Sequence, residues 1–354
     1  MSLPFNLAFS GLSSGLQTKN AAASGGVGGW VELGRTTLGS AGLNIDVTSL
    51  TNKRYYMILH NSVGQGGSND HLLRFNGDTG SNYAYRTSAT GAADDTLPSN
   101  NYALFGVHPG STTPSFTVSY VANYSTKEKL VIGHTGAQST AGAGTAPYRS
   151  EEVSKWANTS NAISSINIYH TSENFNTGSE VIVLAWDPAD THTNNFWTEL
   201  YSGDLSAGAA AYIDSGTITA KKYLWVQLYT QQSVDSDYLV TFNGDNAGTT
   251  YARRYMNDGA TETTGTSLAN FTLVSRPANL PSFHNFFIIN NSAKEKLIIS
   301  HQVNQGNAGS GTAPTRTEYV GKWANTAAQI TSMRITSGSG NLATKTILKI
   351  WGSD

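Results

Sequence analysis

Short runs of β-branched and aromatic residues, some alternating apolar with polar positions, recur along the chain and are broken by Gly, Asn, Ser and Pro clusters. This pattern predicts strands in the first half at Trp30–Leu38, Leu43–Val47, Arg54–Asn61, His71–Phe75, Asn82–Thr87, Ser115–Ala122, Leu130–Thr135, Glu151–Ala157, Ile163–His170 and Glu180–Trp186. In the second half it predicts Tyr223–Tyr229, Tyr238–Phe242, Thr250–Tyr255, Phe283–Asn290, Leu297–His301, Glu318–Ala324, Ile330–Ile335 and Lys345–Trp351. No window carries the 3.6-residue period of an amphipathic helix. The predicted fold class is all-β: two tandem antiparallel jelly-roll-like β-sandwich domains related by internal duplication.

The duplication is read from the sequence itself. Lys127–Ser164 returns as Lys294–Thr331 at a constant offset of 167, with 22 of 38 aligned positions identical. Trp30 and Glu32 reappear as Trp197 and Glu199, Phe75-Asn76-Gly77-Asp78 as Phe242-Asn243-Gly244-Asp245, and Trp186 is matched with Trp351. Such a period exceeds the ~20–50 residues of a solenoid repeat, so it denotes whole domains. The expected organisation is an arm over residues 1–29, a first sandwich over 30–190 and a second over 191–354. The arm ends AAASGGVGG, a composition that stays flexible unless a partner orders it. Asp187–Trp197 reads as the linker.

Composition narrows the function. Only 13% of residues are charged and the net charge is −2, which argues against nucleic-acid binding through phosphates. The absence of cysteine removes disulfides, thiolate nucleophiles and Cys-based zinc sites. No apolar run reaches the ~18 residues of a transmembrane helix. No basic residue precedes the weakly apolar N-terminal stretch, so neither a membrane partner nor a secretory leader is expected.

Four motifs recur in both copies. FNGD, with Asp78 and Asp245, is a tight-turn signal whose alternative is a calcium site. GTAP-x-R, with Arg149 and Arg316, reads as a long loop whose Arg pairs with Glu151 or Glu318; it lacks the Lys and following helix of a phosphate-binding loop. KWANT places Trp156 and Trp323 in strands, as core anchors or as sugar-stacking platforms. His134 and His301 follow apolar runs at strand ends and read as structural hydrogen-bonders. Asp187, Asp190 and His192 are close in the linker but have no counterpart in the second copy. None of these residues forms a catalytic set, and no cofactor or metal is predicted.

FNGDTGSNYAYR (Phe75–Arg86), STKEKLVIGH (Ser125–His134), AGAGTAPYR (Ala141–Arg149), KWANTSNAI (Lys155–Ile163) and Gly178–Leu200 resemble a tandem β-sandwich virion structural protein, of the capsid-decoration or tail-fibre type, of tailed bacteriophages and marine environmental viruses. The resemblance implies a non-enzymatic role in a virus particle made in the host cytoplasm. Its partners would be other virion proteins and further copies of the chain, as a homo-oligomer expected to be a trimer. Residues before Gly29 and the loops Ser139–Pro147 and Gly306–Pro314 are expected at subunit contacts. The alternative reading is a carbohydrate-binding adhesin or receptor-binding module that holds cell-surface glycans. A sandwich-fold glycoside hydrolase or lyase ranks third, for want of a carboxylate pair.

Overall fold

The structure, a computed structural model, describes residues 29–67, 70–108, 113–190, 195–246, 248–274 and 278–354. The expected N-terminal arm, up to residue 28, and His192 lie outside the described residues. In the first domain an antiparallel sheet of eight strands runs in the order β1 (Val31–Thr37), β12 (Glu180–Trp186), β3 (Tyr55–Ser62), β8 (Ser115–Ala122), β9 (Lys129–Ala137), β10 (Tyr148–Trp156), β5 (Tyr83–Ala89), β6 (Asp95–Asn100). Against it lies a sheet of four: β2 (Asn44–Val47), β11 (Ile166–Tyr169), β4 (His71–Phe75), β7 (Ala103–Gly106). The order β1-β12-β3-β8 over β2-β11-β4-β7 is that of a jelly roll. The β5–β6 and β9–β10 hairpins are insertions that widen the larger sheet.

The second domain repeats this order strand for strand. Its larger sheet is β13 (Thr198–Asp204), β24 (Ile347–Ser353), β15 (Tyr223–Thr230), β20 (Ser282–Ile289), β21 (Lys296–Asn304), β22 (Thr315–Trp323), β17 (Tyr251–Asn257), β18 (Thr263–Leu268). Its smaller sheet is β14 (Tyr212–Asp214), β23 (Met333–Ser337), β16 (Tyr238–Phe242), β19 (Phe271–Leu273). The all-β tandem sandwich predicted from the alternation is what forms.

Alternation also explains the cores, because successive side chains leave opposite faces of a strand. Tyr56, Ile58, Val121, Val131 and Val183 point inward onto Ile45, Leu73, Phe75, Ile166 and Ile168. Leu224, Val226, Ile288 and Ile350 do the same over Ile213, Val240, Phe242 and Ile335. In several strands the outward positions are apolar too. Met57, Leu59, Phe116, Val118, Ile182 and Leu184 join Tyr223, Phe287, Leu297, Ile299 and Trp351 in a third buried cluster between the domains. Phe196 and Trp197, expected to close a linker, are part of that cluster.

Two expectations need correction. Strands β6, β7, β13, β14, β18 and β19 were not predicted; most are polar, exposed or only three to four residues long, and β6 carries Pro98. The matching of Trp186 with Trp351 is out of register by two. Glu32 faces Leu184 and its repeat Glu199 faces Trp351, so Leu184 is the equivalent of Trp351. Trp186 pairs instead with Tyr55.

Candidate functional site

The recurring motifs fit together into one structural device in each domain. Asn76 and Gly77 have φ of 54° and 66°, and Asn243 and Gly244 of 53° and 72°, the left-handed pair of a tight turn, here one that carries the chain from the smaller sheet to the larger. Asn76 Oδ1 then accepts the Ser164 and Ser165 amides at 2.7 and 3.1 Å, as Asn243 Oδ1 accepts those of Thr331 and Ser332 at 2.8 and 3.0 Å. Asp78 accepts the Trp156 indole N–H at 2.7 Å, and Asp245 that of Trp323 at 2.8 Å. Both tryptophans are buried in the sandwich cores. Burial alone would raise the Asp78 carboxyl, but the bonds from Trp156, Asn82 and Gly80 bring it below its ordinary value. FNGD and KWANT therefore tie one sheet of each sandwich to the other, and the carboxylates that offered the alternative calcium site accept the indole donors.

A further partner in this device escaped the sequence reading. Lys129 Nζ donates to the Asn158 carbonyl at 2.8 Å and lies 5.4 Å from the Trp156 ring centre; Lys296 repeats this with Asn325 at 2.8 Å and Trp323 at 5.6 Å. The KEK and KWANT motifs sit far apart in sequence, and only the β9–β10 and β21–β22 pairings bring them together.

Of the remaining matched residues, Arg316 is exposed and pairs with Glu318 at 3.1 Å, whereas His134, His301 and Arg149 meet at the joint between the domains. Arg149 is fully buried there, with Nε donating to Glu262 Oε1 at 2.6 Å and NH1 3.2 Å from Glu151 Oε1. Glu318 Oε2 lies 3.9 Å from the same guanidinium. His134 of the first domain and His301 of the second approach to 4.5 Å between ring centres, and each Nε2 lies near Glu151 Oε1, at 3.7 and 3.6 Å. The expectation that His134 is a structural hydrogen-bonder is corrected: its two ring nitrogens have no hydrogen-bond partner. Burial, then His301 nearby, holds His134 neutral, well below the usual histidine range. Burial would raise Glu151, but His301, His134 and Arg149 together bring it down to about 2. The two imidazoles and the carboxylate lie within 4.8 Å of one another, a donor set suited to a divalent transition metal. Arg149 on that same carboxylate already supplies the compensating cation.

Four buried histidines, none singled out from sequence, form a second cluster inside the first domain. His71 packs against His60, His170 and His108 at 4.7, 5.0 and 5.4 Å between ring centres, and accepts or donates one bond to Gln65 at 2.9 Å. Burial, followed by the neighbouring histidines, lowers His60 to about 3; burial lowers His108 and His170 to about 4 each. Glu152 is buried beside this region and pushed up to about 8 by desolvation. In the second domain the positions of His60, His71 and Glu152 hold Leu228, Tyr238 and Tyr319. The histidine cluster thus has no counterpart among the described residues of the second domain, where His284 is the buried histidine, and the lack of a repeat hides it from sequence comparison.

No family model matches this chain, and no curated relative does. Solved structures that align over most of its length include domains LG4-5 of the mouse laminin alpha1 chain, at 8% identity over 91% of this chain and 90% of that one, with a TM-score of 0.19. Neisserial surface protein A aligns at 8% identity over 81% and 99%, with a TM-score of 0.13. Ail, the attachment invasion locus protein of Yersinia pestis, aligns at 5% identity over 77% and 98%, with a TM-score of 0.11. At such scores the likeness bears on neither fold nor function.

Proposed function

We propose that this chain is a non-enzymatic structural protein of a virus particle, in the shell, its decoration or a tail fibre, which works by assembling through its sandwich surfaces. The observation that carries the reading is architectural. Two jelly rolls are fixed by a buried joint into one block, and apolar surface of the first domain's larger sheet remains exposed, at Tyr120, Leu130, Ile132 and Val153. The motif resemblance points the same way, and the repeated residues serve the fold rather than a reaction. Mass spectrometry of purified particles from the producing culture tests this. Peptides of the chain at a stoichiometry comparable to the major structural proteins support the reading, and their absence from particles refutes it.

One observation favours the adhesin reading. On the smaller sheet of the second domain, a groove of about 650 Å³ is lined by Tyr212, Asp214, Asn243, Asn246, Asn270 and Arg334. Tyr212 is exposed, and Arg334 stacks on its ring at 4.2 Å while bonding Asp214 at 2.6 Å. An exposed aromatic ring beside several amides and one carboxylate suits a sugar. Glycan-array capture that is lost in Tyr212→Ala supports this second reading; the same capture by both proteins removes it.

A further inference from the structure

The joint inside the chain is not symmetric, and the repeat shows what its two unused halves are for. The first domain contributes one end of its sheet: Phe116, His134, Arg149 and the loop 138–147. The second contributes the other end. Leu297 and Ile299 are 1% and 2% exposed, whereas their equivalents Leu130 and Ile132 are 56% and 63% exposed. The inequality reverses at the loop end. Arg149 is 0% exposed and its equivalent Arg316 is 63% exposed, while Phe283, the equivalent of buried Phe116, is open to solvent. One chain therefore uses one loop-bearing donor surface and one receiving surface, and retains one spare of each.

Both spare surfaces are already in binding form. In the internal joint Lys322 Nζ donates to the carbonyls of Gln138 and Thr140 at 3.1 and 2.7 Å, and Glu295 Oε1 accepts the Gly142 amide at 2.5 Å. Arg254 Nε donates to the Pro147 carbonyl at 2.7 Å, and Arg149 reaches Glu262, which Arg254 also holds at 2.9 Å. The first domain carries the same receptors, exposed: Lys155 paired with Glu128 at 3.0 Å, and Arg86 paired with Asp94 at 3.1 Å. The free loop of the second domain has the docked loop's shape. Gly142 and Gly309 have φ of 80° and 81°, and Ser139 and Gly306 of 70° and 76°. Gln305 and Asn307 also keep the 3.0 Å turn bond of Gln138 and Thr140.

We propose that a second copy of this chain docks its second-domain loop 305–314, with Phe283 and Arg316, onto the first-domain face made by Leu130, Ile132, Val153 and Lys155, repeating the internal joint between molecules. Arg316 of one chain then meets Asp94 of the next, and Lys155 takes the carbonyls of Gln305 and Asn307. Such a contact is head-to-tail, so it closes into a ring or runs on as a filament, according to its rotation. The proposal rests on the assembly reading above for its occupant and specifies the surfaces involved.

Sedimentation of the full chain tests it, with two variants made at exposed positions so that folding is preserved. Leu130→Asp/Ile132→Asp disables the receiving face, and Phe283→Asp/Arg316→Glu disables the donor. The unaltered chain is expected to sediment as an oligomer and each variant alone as a monomer with an unchanged thermal transition. Mixed in equal amounts, the variants are expected to form a one-to-one dimer, because each keeps the surface the other lacks. Variants that still assemble overturn this inference and leave the assembly reading standing, as does a mixture that stays monomeric beside an oligomeric parent. A parent chain that is monomeric at every concentration overturns both.

Discussion

Asp245 and Trp323 make one buried bond on which two distant motifs depend. Truncating Trp323 to Ala removes a large core side chain, and a loss of about 3–5 kcal/mol in urea denaturation is expected. Asp245→Ala leaves the indole N–H without its acceptor and should cost about 1–3 kcal/mol. An Asp245 variant as stable as the parent would show that the turn, not the indole bond, is what FNGD supplies. The histidines give a second prediction at this scale. His60, His108 and His170 have folded-state values near 3, 4 and 4, below the ordinary 6.5, and His71 is lowered as well. At these histidines the unfolded chain therefore binds more protons than the folded one below pH 6.5. Their contribution is unaffected above that pH and turns against the fold progressively from pH 6.5 toward pH 4, by about 1 kcal/mol per pH unit for each such histidine; buried Glu152, raised to about 8, works the opposite way and favours the fold as pH falls from 8. Buried His284 is the one histidine of this kind among the described residues of the second domain, so the first domain should melt first in acid. Thermal unfolding followed across that range checks the order; ring signals of His60, His71, His108 or His170 titrating near 6.5 in the folded protein would contradict it.

At the level of elements, the apolar strands were legible because their side chains are buried: β4, β8 and β12 fall on their predicted residues. The short or polar strands were not. The residues of β6 (DTLPSN) and β18 (TTGTSL) gain strand geometry from β5 and β17 alongside, with no apolar face of their own to announce it. Likewise the repeat identified His134, His301, Arg149 and Arg316 as matched residues, but sequence treats matched positions as equivalent. Their environments differ because one loop lies in a joint and the other does not, a fact set by tertiary packing. The two loops allow a direct check. In the monomeric Leu130→Asp/Ile132→Asp variant a broad-specificity protease should cut first within 306–314, whose residues from Asn307 on are exposed, and spare 139–146, where Ala143 and Ala146 are buried. Lys322→Ala removes two charge-assisted bonds to the loop carbonyls, each worth about 1.5–3 kcal/mol. That variant should become cleavable at 139–146; continued protection there would mean the apolar contacts alone hold the loop.

For the molecule as a whole, the two sandwiches and their joint are complete from Trp30 onward, with Trp30 packed on Tyr120 at 6.3 Å between ring centres. Removing the first ~25 residues is expected to leave the thermal transition in place, since the described cores are built from residue 30 onward, while lowering incorporation into particles; a truncated chain that incorporates normally would show that the arm has no part in attachment. The wider account stands on association. A block of two jelly rolls with one loop and one receiving face unused should not remain alone in solution. Native mass spectrometry of the purified full chain reads this most directly. Masses at whole multiples of the 37.6 kDa chain, growing with concentration, are the predicted result, and a single-chain mass throughout would contradict the account.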